Sequence, residues 1–247
     1  MRVAAARLPG VNDSGSCVDG AAERLLGVAT DVAGHHPLPW VAAPLLGADR
    51  VLDLCCGTGP LADHLPAGRW IGLDAVPGPR RPLLRGAPTS IPLRDNAVDG
   101  LAMMLVLPRL PDLDAVFAEV RRVLRPGGTL VLLVPSASVR SLRELRAARL
   151  LGPVHRTGWP HRSALDRAGW LLQAADFAVL GDDRVSFALP VPDADGARRL
   201  VADLPRAGLW PPGAPADVLA TASARLAGRA GAGVVLPVPL RRIVARR

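Results

Sequence analysis

The feature that most constrains the fold is the segment at residues 51–65, which reads VLDLCCGTGPLADHL. Its first four residues predict a short buried strand, Gly57 and Gly59 predict a turn, and residues 61–65 predict a helix. A strand that runs through a glycine turn into a helix brings backbone N–H groups close to a ligand, because glycine has no side chain to occupy the ligand's space. The segment therefore predicts a ligand site behind the first strand.

The following residues repeat this alternation of strand and helix. Residues 70–73 and 98–104 are apolar runs that predict buried strands. Residues 113–124 predict an amphipathic helix that is capped by Asp112 and ends at a Pro-Gly-Gly sequence, and residues 129–134 predict the next strand. Strands that alternate with helices indicate a doubly wound α/β fold around a parallel sheet.

The two ends of the chain predict other features. Residues 1–20 are rich in Gly, Ser and Asp and are expected to form a flexible arm ahead of a single domain at 21–247. Residues 21–34 predict a helix that the His-His-Pro-Leu-Pro run at 35–39 ends.

The carboxy-terminal part predicts a helix, two strands and a cap. Ser163 and Asp166 have the spacing of a capping box and predict a helix that runs to about residue 175. Residues 184–189 and 234–244 predict strands, and the Pro- and Ala-rich segment between them is too long for a hairpin turn. We therefore expect a largely helical cap inserted between the last two strands.

Composition excludes several classes of protein. The longest clean apolar stretch, residues 101–107, is far shorter than the roughly 20 residues that span a bilayer, and the amino terminus lacks the apolar core of a signal peptide, so we expect a soluble, cytoplasmic protein. Three cysteines are too few for a disulfide framework or a zinc site, and no metal is expected. The absence of tyrosine and lysine excludes a short-chain dehydrogenase, which needs a Tyr–Lys pair.

The positive charge of the chain is concentrated in its second half. The net charge is +8, and residues 139–247 hold 17 arginines against 9 acidic residues, whereas residues 1–138 hold 13 of each. Such an excess attracts anionic substrates or nucleic acid, although a solvated basic surface is the simpler interpretation.

Asp74 follows Asp53 by 21 residues and ends the second predicted strand. An acidic residue at this place accepts hydrogen bonds from the two hydroxyls of a ribose, and together with the glycine turn it predicts a nucleoside-binding crevice. Taken alone, an aspartate after a strand is usually a solvated loop residue or a helix cap. Gly57, Gly59 and Ala62 also satisfy a dinucleotide pattern, so a nicotinamide-dependent reductase stays an alternative.

Residues 51–135 carry a larger set of motifs in order. The set resembles the class I S-adenosylmethionine-dependent methyltransferases, in particular the group related to ubiquinone and small-molecule methyltransferases. The matching motifs are Asp53-Leu-Cys-Cys-Gly57-Thr-Gly59, Asp74, Ser90-Ile-Pro92-Leu-Arg-Asp95 with Val98-Asp99, and the stretch from Leu107-Pro-Arg-Leu-Pro111-Asp112 to Arg121-Arg-Val-Leu-Arg-Pro-Gly-Gly128.

The resemblance implies a Rossmann-like sheet of seven strands, of which the last is antiparallel. It implies a cofactor half at about 45–135 and an acceptor-side half with helical insertions at about 136–247. It also implies S-adenosylmethionine as cofactor and methyl transfer to an O, N or C nucleophile of a small or lipid-like molecule.

The resemblance also assigns roles to residues. Asp53 would orient the amino group of the cofactor, Gly57 and Gly59 would line its methionine and ribose, and Asp74 would hold the ribose hydroxyls. The residues implied beside the adenine and the methionyl sulfur are Ala75, Val76, Ala87, Pro88, Met103 and Met104.

Three positions depart from the family pattern. Cys55 replaces the first glycine of the turn, Ala87 stands where an aspartate commonly contacts the adenine, and Pro108-Arg109 replaces a polar pair near the methyl donor. A catalytically inactive cofactor-binding relative is therefore one alternative, and an RNA methyltransferase, suggested by the arginine excess, is another.

The acceptor-side candidates lie between the fifth strand and the next predicted helix. His155, Trp159 and His161 cluster there, where this fold builds a pocket at the carboxyl ends of its strands. A histidine is needed as general base only where the acceptor is protonated. For each residue a surface or structural role is the alternative.

Overall fold

A computed structural model describes residues 20–76 and 78–247. The arm predicted at residues 1–20 therefore lies outside the described residues except for Gly20, and the division into domains stays a prediction. The described residues form a seven-stranded sheet with helices on both faces. Its strands are β1 Val51–Leu54, β2 Trp70–Asp74, β3 Leu83–Arg85, β4 Val98–Met104, β5 Leu124–Pro135, β6 Ala178–Pro190 and β7 Val235–Arg246.

The order of the strands in the sheet is β3-β2-β1-β4-β5-β7-β6. β1 pairs in parallel with β2 and β4, whereas β7 is antiparallel to both β5 and β6. The order changes direction beside β1, and in open α/β sheets a ligand binds at this point, outside the carboxyl ends of the strands. The predicted fold class is confirmed, including the antiparallel last strand.

Helices cover both faces of the sheet and enclose two apolar cores. The first core contains residues of α1, α2, α5, α8 and α9, and the second contains residues of α3, α6 and α7. The helices are α1 Ala21–Val28, α2 Pro37–Ala42, α3 Leu113–Val123, α4 Leu142–Leu150, α5 Gly152–Arg156, α6 Ser163–Asp166, α7 Ala168–Ala174, α8 Ala194–Arg206 and α9 Ala216–Ala227.

Helix α3 forms for the reasons that its sequence indicates. The Asp112 side chain accepts a hydrogen bond from the backbone N–H of Ala115 at 2.9 Å and caps the helix. Its apolar residues recur at helical spacing and are buried. The helix ends at Val123, however, and β5 begins at once, so the Pro-Gly-Gly sequence lies inside a strand and not after a helix.

Several predicted helices have different bounds. α1 ends at Val28, and the run at 35–39 begins a helix, because Pro37 occupies the first turn of α2, where no backbone N–H is needed. After the glycine turn the chain makes only a short 3-10 helix at Pro60–His64. Ser163 lies within α6 and makes no cap, so the capping-box prediction is wrong, and a break at Arg167 separates α6 from α7.

The predicted insertion between the last two strands is present. α8 and α9 lie between β6 and β7 in the chain and pack on each other, and α8 also packs on α1. Among the described residues, every helix is too short or too polar to cross a bilayer. The cytoplasmic location stays a prediction.

Candidate functional site

The glycine turn joins β1 to the short 3-10 helix and is fastened to the end of β2. Cys55, Gly57 and Gly59 have left-handed backbone angles, with φ of 59°, 59° and 77°. The backbone N–H of Cys56 donates to the carbonyl of Leu73 at 3.2 Å. The turn therefore lies at the carboxyl end of β1, directly beside the carboxyl end of β2.

Asp74 also holds this turn in place, through hydrogen bonds of its side chain. Its Oδ2 accepts a hydrogen bond from the backbone N–H of Gly57 at 2.9 Å, and its Oδ1 accepts one from Val76 at 3.1 Å. The residue is only 4% exposed. An ionised carboxylate offers about four acceptor positions, so Asp74 keeps about two for a ligand. Its role in holding the turn was not predicted from the sequence.

Asp53 is fully buried in β1, below the turn. Its Oδ2 accepts a hydrogen bond from Trp70 Nε1 at 3.1 Å, and its Oδ1 has no hydrogen-bond partner among the described residues. Burial raises the pKa of Asp53 to about 7; the Trp70 hydrogen bond opposes this rise, and the charge of Asp74 adds to it. Asp53 thus keeps one buried carboxyl oxygen without a hydrogen-bond partner among the described residues.

A small cavity lies above the turn, between the carboxyl ends of β1 and β4, helix α1 and the end of α8. Its volume is about 40 Å³, smaller than the roughly 300–1,000 Å³ typical of ligand pockets. A larger ligand therefore requires the surrounding elements to separate. The cavity is lined by Gly20, Ala22, Glu23, Leu26, Cys55, Cys56, Gly57, Thr58, Pro60, Met104, Leu105, Val106, Arg109, Arg206 and Ala207.

Charged side chains of both signs line this cavity. Glu23 belongs to α1, Arg206 ends α8, and Arg109 follows β4 in a short 3-10 turn. Arg109 Nη1 donates to the carbonyl of Arg206 at 3.2 Å and so joins the strand end to the cap. The cavity can therefore receive a ligand that carries both an ammonium and a carboxylate. Sequence reasoning missed Glu23 and Arg206, because only the folded chain brings them to the turn.

The cap also touches the end of β4 through its backbone. Leu105 is buried with a left-handed φ of 60°, and its N–H donates to the Leu133 carbonyl at 2.7 Å. Gly208 follows α8 with φ of 75°, and a β-carbon added to it would lie 2.3 Å from the Leu105 carbonyl oxygen. Only glycine allows the two backbones to approach so closely.

The predicted cofactor residues fall into separate places. Cys55, Gly57 and Met104 line the cavity, whereas Met103 is fully buried in the second core, on the opposite face of the sheet. A β-carbon added to Gly59 would lie 2.7 Å from the Trp70 ring, so this glycine makes room for a side chain of the protein itself.

The predicted adenine-side residues lie beside Asp74. Ala75 and Val76 are exposed directly after it. The backbone N–H of Gly86 donates to the Asp74 carbonyl at 3.1 Å, which brings the loop carrying Ala87 and Pro88 to the same edge.

The three acceptor-side candidates do not line the cavity. His155 lies at the surface of α5, where neighbouring protein atoms lower its pKa by desolvation. His161 is attached to the segment after β4: its N–H donates to the Pro108 carbonyl at 3.1 Å, and its Nε2 lies 3.2 Å from the Pro111 carbonyl. Trp159 lies between these two histidines in the sequence, and its side chain is half-buried.

The chain is similar in sequence to known methyltransferases. Residues 52–132 match the family model described as a methyltransferase domain. A 2-phytyl-1,4-naphtoquinone methyltransferase of Synechococcus elongatus is 34% identical over 114 residues, 38% of this chain and 48% of the relative. A demethylmenaquinone methyltransferase of Lactiplantibacillus plantarum is 39% identical over 107 residues, 35% of this chain and 45% of the relative. The chain thus spans about half the length of these curated relatives.

The structure is similar to solved structures over most of its length. The YcgJ protein of Bacillus subtilis superimposes with a TM-score of 0.52 at 17% sequence identity, covering 86% of this chain and 99% of that one. At this identity the likeness establishes the fold alone.

Proposed function

We propose that residues 52–132, which match a family model described as a methyltransferase domain, form a class I S-adenosylmethionine-dependent methyltransferase domain, and that the chain transfers a methyl group to a nucleophile of a small or lipid-like molecule. The observation that carries the proposal is the position of the glycine turn, Asp74 and the charged cavity at one switch point of the sheet. In this class of fold that place receives nucleotide-like ligands.

The polar groups around the turn match the parts of S-adenosylmethionine. The two acceptor positions left on Asp74 suit the two ribose hydroxyls. Glu23 suits the ammonium of the methionine part, and Arg109 and Arg206 suit its carboxylate. Asp53 is fully buried and does not line the cavity, so its proposed action on the amino group of the cofactor would be indirect.

The space beside the glycine turn is too narrow for the nucleoside of the cofactor. A β-carbon added to Gly78 would lie 2.6 Å from the Gly57 carbonyl oxygen, so the segment after β2 lies directly against the turn. The donor and acceptor groups therefore fit the cofactor, and the site must widen to admit it.

The chain's own contribution to methyl transfer is binding, alignment and exclusion of water. When bound, S-adenosylmethionine supplies an electrophilic methyl group on a sulfonium. Met104 and Leu105 would form an apolar wall beside it, and the cap held by Gly208 would keep water out. His155 and His161 remain the candidates to accept a proton from the acceptor.

The proposed acceptor is a small or lipid-like molecule with an O, N or C nucleophile. The names of the two relatives support a lipid-like acceptor, because both names contain a lipid-like quinone. Methylation of RNA, cofactor binding without turnover and binding of a nicotinamide cofactor are the alternatives that the experiment must separate.

Calorimetric titration with S-adenosylmethionine and its demethylated product tests the proposal. We expect the wild type to bind both and Asp74→Asn to bind at least tenfold more weakly, since an amide cannot accept the same set of hydrogen bonds. Asp193→Asn is the matched control, because Asp193 caps α8 through a bond to Gly196 and asparagine is an equally good cap.

Four results would count against the proposal. No binding by the wild type at high cofactor concentration contradicts it outright, and tighter binding of NADPH favours the reductase. Equal affinity of Asp74→Asn and wild type would show that Asp74 only holds the turn. Binding without methylation of quinone-like acceptors or of RNA would indicate an inactive relative.

A further inference from the structure

A second concave surface lies on the same face of the sheet as α8, between α4, α9 and the first residues of β7. We call it the arginine groove. Its volume is about 890 Å³. β7 begins at the edge where β5 and β6 end, so the groove opens at the same edge of the sheet as the glycine turn. It is lined by Arg143, Arg146, Ala147, Arg149, Leu150, Arg225, Leu226, Arg229, Gly233, Val234, Val235, Leu236 and Pro237.

The charge of the groove is entirely positive. Five arginines line it and no carboxylate does, among the residues that the structure describes. The one acid of α4, Glu144, is buried and paired with Arg184 at 2.7 Å. Arg143, Arg146 and Arg149 make no ion pair within the described ranges. The groove is therefore a concentrated source of positive potential.

The fold brings the arginines of α4 and α9 together. Arg225 Nη1 donates to the carbonyl of Leu150 at 3.0 Å, which holds the end of α9 against the end of α4. On α4, Arg146 and Arg149 are four and seven residues after Leu142 and share its face of the helix. Two rows of guanidinium groups thus border one depression.

Apolar side chains form the floor of the groove and also lie beside its arginines. Leu150, Leu226 and Leu236 lie on the floor, while Leu142 is 71% exposed and Val235 is 40% exposed beside the arginines. No aromatic side chain is among the described residues that line it. Single-stranded nucleic acids gain much of their affinity from stacking on aromatic rings, so this lining favours an amphiphilic anion over RNA.

We propose that the arginine groove binds the phosphate headgroups of anionic phospholipids at the surface of a bilayer. The guanidinium groups pair with phosphate oxygens, and Leu142 and Val235 enter the interface between headgroups and acyl chains. This docking turns the carboxyl edge of the sheet, and with it the cavity, toward the lipid. The proposal rests on the surface of the protein and not on methyl transfer.

Co-sedimentation with vesicles tests the proposal without any cofactor. We expect the wild type to bind vesicles of phosphatidylcholine mixed with phosphatidylglycerol, to bind pure phosphatidylcholine weakly, and to dissociate as the salt concentration rises. Each arginine near an anionic surface contributes about fivefold in affinity, so Arg146→Gln/Arg149→Gln is expected to bind at least about tenfold more weakly. Leu142→Gln is expected to bind more weakly at every salt concentration.

The matched control is Arg162→Gln/Arg167→Gln, which removes the same charge from exposed arginines flanking α6, a helix of the opposite core. An equal loss in this control would overturn the proposal, since it would show attraction to net charge alone. The proposal is also wrong if RNA displaces the protein from vesicles at a phosphate concentration below that of the lipid, and if binding to this RNA depends on the same two arginines. Retained cofactor binding by Arg146→Gln/Arg149→Gln would separate this result from the test of methyl transfer.

Discussion

Cys55 carries a side chain at a backbone position that favours glycine. Its φ of 59° is left-handed, a conformation that costs an L-residue about 1–2 kcal/mol. The family that the chain resembles places glycine here, and Cys55 both lines the cavity and packs against the second core. The protein thus keeps a strained residue beside the candidate site.

Cys55→Gly is therefore expected to raise the free energy of unfolding by about 1 kcal/mol, because glycine adopts this conformation without strain. Urea unfolding measures the difference. Cys55→Ala is the control, since alanine also has a β-carbon, and an equal gain in both variants would show that loss of the thiol is the cause.

Asp53 makes stability depend on pH. Its pKa is about 7 in the folded protein against an ordinary value of 3.8, so the folded state binds the proton more tightly than the unfolded state does. This preference stabilises the protein at low pH and is lost progressively as the pH rises from about 4 to 7. Ionised Asp53 then costs at most about 4 kcal/mol.

Asp53→Asn keeps an acceptor for Trp70 and cannot ionise. We expect its stability relative to wild type to increase between about pH 4 and pH 7 and to stay level above that range. Thermal unfolding in a series of buffers measures this difference. A constant difference across the series would mean that Asp53 is ionised throughout.

Site residues that lie at the end of a strand, or directly after one, could be predicted from the sequence. Asp53, Gly57 and Asp74 follow from the local pattern, because a buried strand and its turn occupy adjacent residues. Glu23 and Arg206 could not be found in this way, since α1 and α8 reach the turn only through tertiary packing. The same is true of the bond between Gly57 and Asp74, which joins two strands.

At the scale of elements, strands were predicted better than helices. A buried parallel strand is a continuous apolar run, and β1, β2 and β4 have nearly the predicted bounds. The helix predicted at 21–34 instead ends at Val28, and the helix predicted at 163–175 is broken at Arg167. Packing against the sheet and the cap decides these bounds.

The cap is attached to the sheet by a backbone contact that we expect to be sensitive to one methyl group. Gly208→Ala would place a β-carbon 2.3 Å from the Leu105 carbonyl oxygen at a left-handed φ. We expect a loss of at least about 2 kcal/mol in unfolding free energy and faster proteolysis between α8 and α9.

Gly213→Ala is the control for this change, because it lies in the same connection and its added β-carbon would meet no atom within 4 Å. Equal losses in the two variants would show that the connection as a whole, and not the contact with Leu105, is sensitive.

For the whole molecule, the small volume of the cavity implies that parts of the structure move when a ligand binds. The space of about 40 Å³ beside the turn is too small for the methionine part of the proposed cofactor, so we expect α1 to move away from the turn on binding. Gly78 lies against the Gly57 carbonyl, so we expect movement there as well. Hydrogen exchange measured with and without the demethylated cofactor is expected to change in α1 and near Gly78. Exchange that changes nowhere in these two places, despite tight binding, would contradict this expectation.

The insertion between β6 and β7 leaves and re-enters the sheet at neighbouring points, because Pro190 is paired directly with Val235. A foreign segment of different length can therefore be spliced between these two residues without altering the pairing of the strands. Chimaeras that exchange α8 and α9 with the equivalent region of a related protein would keep the glycine turn and replace the cap beside it. The chain is in this respect a scaffold with an exchangeable module, and under the proposed function such an exchange would transfer selectivity for the acceptor.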